Sequence, residues 1–334
     1  MADEHKAGTG ETDDPTSPSI AGKMDKAMKR ADGDTVSDQD FIDGKLQYLF
    51  NTRNKLYLID RNGNAVDRFP VNLRVPASAG MALFDYDNSG DFRIPVPAID
   101  KNIYMYDKQG NIVSGWNSVK ADFEITHSLQ HIRIGDRDYI VGNDMVRLYI
   151  LNRRGRTRIR LNQQIEHSEN NPVYFDPLTP SGDSRLVGTN RNGEVFYFTF
   201  DGKVSKGFKT DAGEEHFFVL SDLNGDRQNE YIFVDGQRLM VYDHDGGLLF
   251  DESYPEEIIY RPVIYEFSPA DKKIGIVGGR SGRIYLVNND GSLYQGFPLQ
   301  GVSLFSISSF PELKDRFNLI VGNKDNFLYN YSVK

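Results

Sequence analysis

The stretch Ile103-Tyr104-Met105-Tyr106-Asp107-Lys108-Gln109-Gly110-Asn111 decides the fold, because variants of it recur along the chain. Leu56-Tyr57-Leu58-Ile59-Asp60, Leu148-Tyr149-Ile150-Leu151-Asn152 and Val195-Phe196-Tyr197-Phe198 carry the same apolar run. So do Leu239-Met240-Val241-Tyr242-Asp243, Ile284-Tyr285-Leu286-Val287-Asn288 and Leu328-Tyr329-Asn330-Tyr331. Counted from Tyr57 through positions 104, 149, 196, 240, 285 and 329, the spacings are 47, 45, 47, 44, 45 and 44.

Six residues after the marker in six copies stands a glycine: Gly63, Gly110, Gly155, Gly202, Gly246 and Gly291. Contexts such as Arg-Asn-Gly-Asn and Asn-Asp-Gly-Ser suit tight hairpins, because Asn and Gly tolerate the positive φ that such turns need. Six residues further lies a large apolar residue, Phe69, Trp116, Leu161, Phe208 or Phe297, which reads as a plug between neighbouring units; the fifth copy has Glu252. Upstream of the marker runs another strand, as in Tyr139-Ile140-Val141-Gly142 and Gly275-Ile276-Val277-Gly278. Seven such units at this period predict an all-β chain, a seven-bladed β-propeller of four-stranded antiparallel blades over residues 35–334. The first blade is expected to begin with a strand at 35–42. The last copy ends after its third strand, so its outer strand is expected from around residues 17–21, or closure is imperfect.

Composition narrows the function. The 334 residues carry a net charge of −9, no cysteine, one Trp, 21 Phe and 18 Tyr. Without cysteine there is no disulfide framework, thiol nucleophile, thiolate zinc site or iron–sulfur cluster. No apolar run approaches the roughly 18 residues of a membrane span, and the N-terminus lacks a signal-peptide pattern. A pI near 5.2 argues against nucleic acid as a partner. Residues 1–40 hold ten acidic and no aromatic residues. Such composition cannot bury enough apolar surface to offset ordering entropy, so residues 1–34 are expected to be a disordered leader.

Polar residues cluster ahead of the first strand of several blades: Glu124 and His127, Glu169 and Asn170, Glu214, Glu215 and His216, Tyr260 and Arg261. In a propeller these segments reach one face at the mouth of the central channel. His127, Glu169, Asn170, Glu215, His216, Tyr260 and Arg261 are therefore the candidate ligand-binding residues. If the protein is an enzyme, His127, His216, Glu169, Glu215 and Arg261 are the candidates for acid–base work on a carbohydrate, as a lyase or hydrolase. His127 and His131, four apart, lack a nearby third metal ligand and read as structural. The run from Arg153 to Arg160 alternates Arg156, Arg158 and Arg160 on one face of an outer strand. Such a stripe either discourages edge pairing or docks an acidic partner.

Two resemblances extend this reading. The Tyr-x-x-Asp-x-x-Gly-Asn/Ser units of residues 41–334 resemble the repeats of the quinoprotein-like (PQQ-like) propeller superfamily, many of whose members are cofactor-free envelope scaffolds. Trp116 is the only docking tryptophan and no vicinal cysteine pair exists, so no PQQ is expected. The chain also resembles the C-terminal propeller of larger bacterial envelope proteins, which implies a cell-envelope or periplasmic location. Asp222-Leu-Asn224-Gly-Asp226-Arg-Gln228-Asn-Glu230 resembles the calcium loops of FG-GAP and VCBS repeats. Asp222, Asn224, Asp226, Gln228 and Glu230 would be the ligands of a Ca2+ ion; the alternative is an Asx turn on its own amides. In the related loop from Asp85 to Arg93 an arginine replaces the closing carboxylate, so a salt bridge is expected there instead of an ion. The expected function is a non-catalytic scaffold that recognises a protein or glycan through its channel face or blade rim, as a monomer or part of a larger envelope assembly.

Overall fold

Each copy is organised by one turn. In the first, Asp60 Oδ1 accepts hydrogen bonds from the amides of Asn62 at 2.8 Å and Asn64 at 2.9 Å, while Gly63 N donates to Asp60 O at 3.0 Å. Asp107, Asn152 and Asp243 repeat the arrangement with their own following amides. All six turn glycines lie in the left-handed region, with φ between 77° and 91°. The Asx side chain fixes the chain two and four residues on, and the glycine supplies the reversal that an L-residue resists.

The structure is a computed structural model and describes residues 4–6, 47–177, 183–308 and 316–334. They fall into two compact units, Val36–Glu214 and Glu215–Lys334, the second joined by the N-terminal segment Met1–Thr35. Strand β1 (Glu4–Lys6) belongs to this second unit. In the first unit the sheets are β2 (Gln47–Asn51), β3 (Lys55–Asp60) and β4 (Val71–Asn72), then β5 (Arg93–Pro97) with β6 (Ile103–Asp107). The strands β7 (Gln130–Ile134), β8 (Arg137–Asn143), β9 (Leu148–Leu151) and β10 (Thr157–Ile159) follow as one sheet. The next holds β11 (Tyr174–Asp176), β12 (Arg185–Thr189), β13 (Glu194–Thr199) and β14 (Val204–Lys209).

The second unit has β15 (Phe217–Ser221), β16 (Glu230–Asp235), β17 (Arg238–Tyr242) and β18 (Leu248–Ser253) in one sheet. Its next sheet is β19 (Val263–Ser268), β20 (Asp271–Val277), β21 (Arg283–Val287) and β22 (Leu299–Gln300). In the last, β23 (Phe305–Ser308), β24 (Phe317–Gly322) and β25 (Leu328–Val333) are completed by β1 on the outer edge. Every pairing is antiparallel. An all-β chain of successive antiparallel sheets that, within each unit, pack on one another through apolar faces is a β-propeller. Among the described residues no helix is long and apolar enough to cross a membrane.

Two expectations are corrected. Seven four-stranded blades are not formed: the described residues give six sheets of three or four strands, and the second copy is only the two-stranded ladder β5–β6. On its outer side only the isolated Tyr106–Ile112 bridge forms, and on its inner side the reason is Pro95 and Pro97 in β5. Ala82 N and Ser78 N donate to the carbonyls of Pro95 and Pro97, but neither proline has an N–H to return, so the inner neighbour pairs through the isolated Phe84–Arg93 bridge. The three-stranded first sheet lacks the inner strand expected at 35–42, which lies outside the described residues, as do residues 17–21 and the rest of the 1–34 leader apart from Glu4–Lys6. The second correction concerns the strand that completes the last sheet. It is Glu4–Lys6, with Glu4 opposite Tyr331 and Lys6 opposite Tyr329, rather than a segment around 17–21. Edge pairing uses backbone groups alone, so composition gives no hint of which extended segment takes the edge.

Within each unit successive sheets share apolar clusters, and four of the plug residues sit in them. Phe69 packs in the cluster joining the first and second copies, Trp116 in that of the second and third, Leu161 in that of the third and fourth, and Phe297 in that of the sixth and seventh. In the fifth copy, where Glu252 is exposed, Phe250 and Tyr254 fill the interface with the sixth. The turn glycines Gly110, Gly155, Gly202 and Gly291 lie on the preceding copy. A Cβ on Gly155 would stand 2.7 Å from Ser118 N, on Gly202 2.6 Å from Arg160 O, and on Gly291 2.9 Å from the Phe250 ring.

These contacts separate two costs. Gly155→Ala meets both the left-handed backbone and the Ser118 main chain, whereas at Gly115 (φ 82°) nothing lies within 4 Å of an added Cβ. We expect Gly115→Ala to lose about 1 kcal/mol of unfolding free energy and Gly155→Ala about 2 kcal/mol more. Urea denaturation midpoints measure the difference; equal losses would show that the blade contact contributes nothing.

Candidate functional site

His127 lies in the segment leading into β7, and its Nε2 is 3.1 Å from the backbone carbonyl of Glu169. Thr126 Oγ1 donates to the same oxygen at 3.4 Å. The structure thus brings His127 beside the Glu169–Asn170 segment through a main-chain oxygen rather than the Glu169 carboxylate, which is exposed. His131 takes a separate partner, with Nε2 2.7 Å from Asp138 Oδ1. Glu214 forms an ion pair with Arg191. In the second unit Glu215 is exposed, and His216 is fully buried with its ring 5.5 Å from that of Phe233. Tyr260 is exposed and Arg261 half-buried. Among the described residues no three His, Asp or Glu side chains stand together as a metal-holding group.

Sequence reasoning missed what holds these segments. Asp144 is 2% exposed. Its Oδ2 accepts from the amides of Asp122 at 3.1 Å and Phe123 at 2.9 Å and from Tyr149 Oη at 2.8 Å, and its Oδ1 from the amides of Val146 and Arg147. Glu256 binds the loop at Arg280 and Ser281 in the same manner, with Tyr285 Oη at 3.2 Å. The marker tyrosine is the available signal: its hydroxyl reaches past the strand to the buried acid. Asp144 thereby presents Phe123, 43% exposed, with Lys101 Nζ 5.3 Å from the ring centre and hydrogen bonded to Asp122 O. In the second unit Ile259 and Tyr260 are exposed on the corresponding segment, at 41% and 39%.

The arginine stripe is interrupted. Across β10 the register shifts, with Thr157 opposite Leu151 and Ile159 opposite Ile150. The Arg158 guanidinium lies 5.3 Å from the Tyr139 ring centre, Arg156 is exposed beside the turn, and Arg160 follows the strand. Arg153, outside the expected set, carries the dense ion pairing: Nη1 and Nη2 lie 2.8 and 2.6 Å from the Asp87 carboxylate, and Nε is 2.6 Å from Asp138 Oδ2. The Arg153 hydrogen bond holds Asp87 below the usual carboxylate range. Burial would raise Asp138, but hydrogen bonds from His131 and Arg153 outweigh it and hold that carboxyl low as well.

The two acidic loops now differ for a visible reason. In the loop from Asp85 to Arg93, Arg93 forms a bidentate pair with Asp91 at 2.8 and 2.7 Å, and Asp85 caps the amides of Ser89 and Gly90. With Arg153 on Asp87, arginines occupy the place of an ion. In the 222–230 loop Asp222 accepts from the amides of Gly225 and Arg227, Asn224 from Asp226, and Asp226 from Gln228. Glu230, 4% exposed, accepts from Leu223 N at 2.7 Å. Burial raises its carboxyl to about 7, and the charges of Asp226 and Asp222 push the same way. The donor chemistry suits a hard cation, and the oxygens here close an Asx turn.

Removing Arg153 takes the guanidinium from the buried Asp138 carboxylate and leaves it with His131. Arg153→Met should cost about 3 kcal/mol at neutral pH, and Arg154→Met, at an exposed position, should cost almost nothing. Since the partner carboxyls titrate below their unfolded value of 3.8, the Arg153 contribution is present above that pH and is lost as pH falls through the lowered values. The gap between wild type and Arg153→Met, read from urea midpoints, should therefore shrink below about pH 3; a gap independent of pH would refute the ionic account.

No family model and no curated protein matches this chain. Among solved structures, it is similar to BBS1N crystallised in complex with ARL6DN, with a TM-score of 0.55 at 14% identity, covering 87% of this chain and 88% of that one. It is also similar to the dihydro-heme d1 dehydrogenase NirN in complex with DHE, with a TM-score of 0.54 at 13% identity, covering 86% of this chain and 63% of that one. At these identities the likeness establishes the β-propeller fold alone.

Proposed function

We propose that this propeller is a non-catalytic scaffold of a bacterial cell envelope that recognises a protein or glycan through the entry segments of its blades. The observation that carries the reading is Phe123, an exposed aromatic on a segment fixed by the buried Asp144. A ring presented on a rigid backbone gives contact area at little ordering cost, which is the character of an interface anchor. Tyr260 offers the same on the second unit. BBS1N, in its complex with ARL6DN, supports a protein partner for such a fold. A Ca2+ ion at Asp222, Asn224, Asp226, Gln228 and Glu230 belongs to this reading, supported by oxygen donors at alternate positions of one loop beside the buried Glu230.

In-cell cross-linking of the tagged chain, with partners identified by mass spectrometry, is the test. Recovery of one or two envelope proteins should fall severalfold on Phe123→Ala or Tyr260→Ala with melting temperature unchanged. Recovery indifferent to both substitutions would overturn the reading. Glycan turnover by the purified protein, lost on His127→Gln, would replace it with an enzymatic one. Calcium titration calorimetry should give a saturable heat that Glu230→Gln abolishes; no heat would remove the ion from the account.

A further inference from the structure

The third copy departs from its neighbours at the plug position. Phe69, Trp116, Phe208 and Phe297 place a ring there, and the third copy places Leu161. In the second copy Trp116 Nε1 donates to Ile103 O at 2.7 Å. One repeat on, Leu161 and Leu148 hold these two positions, and the leucine can neither fill the space of an indole nor donate. A pocket of about 370 Å³ opens there, with Leu148, Ile150, Ile159, Leu161, Ile165 and Phe198 as its apolar wall. It lies wholly within the Val36–Glu214 unit.

Two further features mark the pocket as built for a ligand. His167 lines it, is 2% exposed, and leaves its buried Nδ1 without a hydrogen-bond partner among the described residues. A buried polar atom in that state is unfavourable by about 1–3 kcal/mol, and it marks the floor of the pocket as imperfectly packed. Burial lowers this imidazole to about 4, against the pull of Asp144, so it is neutral at physiological pH and able to donate and accept. The rim carries Lys120, Arg147 and Arg160, and no residue lining the pocket is acidic. Arg147 is held by Asp122 at 3.1 Å and, in the amide orientation that satisfies both groups, by the Gln164 side-chain oxygen at 2.8 and 3.0 Å. Lys120 and Arg160 make no salt bridge among the described residues. At roughly 30 Å³ per non-hydrogen atom the space holds about a dozen such atoms.

We propose that this pocket between the third and fourth copies binds a medium-chain carboxylate, its apolar body along Leu161, Ile159 and Ile165 and its head group at Lys120 and Arg160. The pocket borders the Phe123 segment through Lys120 and the Arg147–Asp122 pair, but Phe123 does not line it, so loss of ligand binding and loss of partner recovery are read by separate measurements. Decanoate, with a dozen non-hydrogen atoms, is the probe, and decylamine offers the same chain length with a cationic, donor-only head.

Titration calorimetry with the full chain should show saturable decanoate binding at a single site and none with decylamine. Lys120→Gln combined with Arg160→Gln should weaken it about tenfold or more. Leu161→Trp, which places an indole where the second copy has one and within reach of the Leu148 carbonyl, should abolish binding without lowering the melting temperature. No saturable heat up to millimolar decanoate, equal binding of decylamine, or undiminished binding in Leu161→Trp would each overturn the proposal. Should Leu161→Trp fail to fold, the double charge variant decides by itself, and unchanged affinity there refutes the site.

Discussion

The left-handed glycine closing the hairpin between the third and fourth strands is the constraint on which the rest of the architecture rests. Its φ lets an Asx residue cap two amides, so the chain reverses directly after the third strand. Its missing side chain allows the preceding copy to approach: the Ser118 main chain at Gly155, the Arg160 carbonyl at Gly202, the Phe250 ring at Gly291. One residue type thus sets both the hairpin and the spacing at which neighbouring sheets bury their faces. Along the chain the interval between these glycines stays narrow because both requirements must be met together.

Around this frame, buried acids rather than apolar contacts fix the connecting segments. Asp144 and Glu256 accept several backbone amides each and a marker tyrosine hydroxyl, which satisfies polar groups that a connection through the interior would otherwise leave bare. Burial acts against the Glu256 carboxyl, and the hydrogen bonds from Ser281, Arg280 and Tyr285 hold it below its usual range. Surface residues on such segments inherit a definite position. The same economy explains the loop from Asp85 to Arg93, where Arg93 and Arg153 supply the positive charge that its acidic residues need.

Much of the fold is legible in the residues. The marker runs, the turn glycines and the plugs Phe69, Trp116, Leu161 and Phe297 appear in the sheets and clusters where periodicity places them, because strand alternation and turn chemistry are local properties. The second copy was readable in part, since Pro95 and Pro97 are visible in the chain, but the ladder they weaken depends on which edge their missing N–H groups face. At the candidate site the pairing of His127 with a carbonyl, and not with a carboxylate, was invisible for a similar reason: residues 42 apart meet only when two sheets pack.

The sequence by itself determined the all-β class, the repeat, the turns and the large side chains that separate the sheets, since each follows from the conformational preferences of a few consecutive residues. Tertiary structure alone decided that Glu4–Lys6 completes the last sheet, that Asp144 and Arg153 each tie several segments together, and that a pocket opens beside Leu161. Backbone pairing at an edge carries no side-chain signature, ion pairs join positions as distant as Asp87 and Arg153, and a cavity is the volume that several copies together fail to fill.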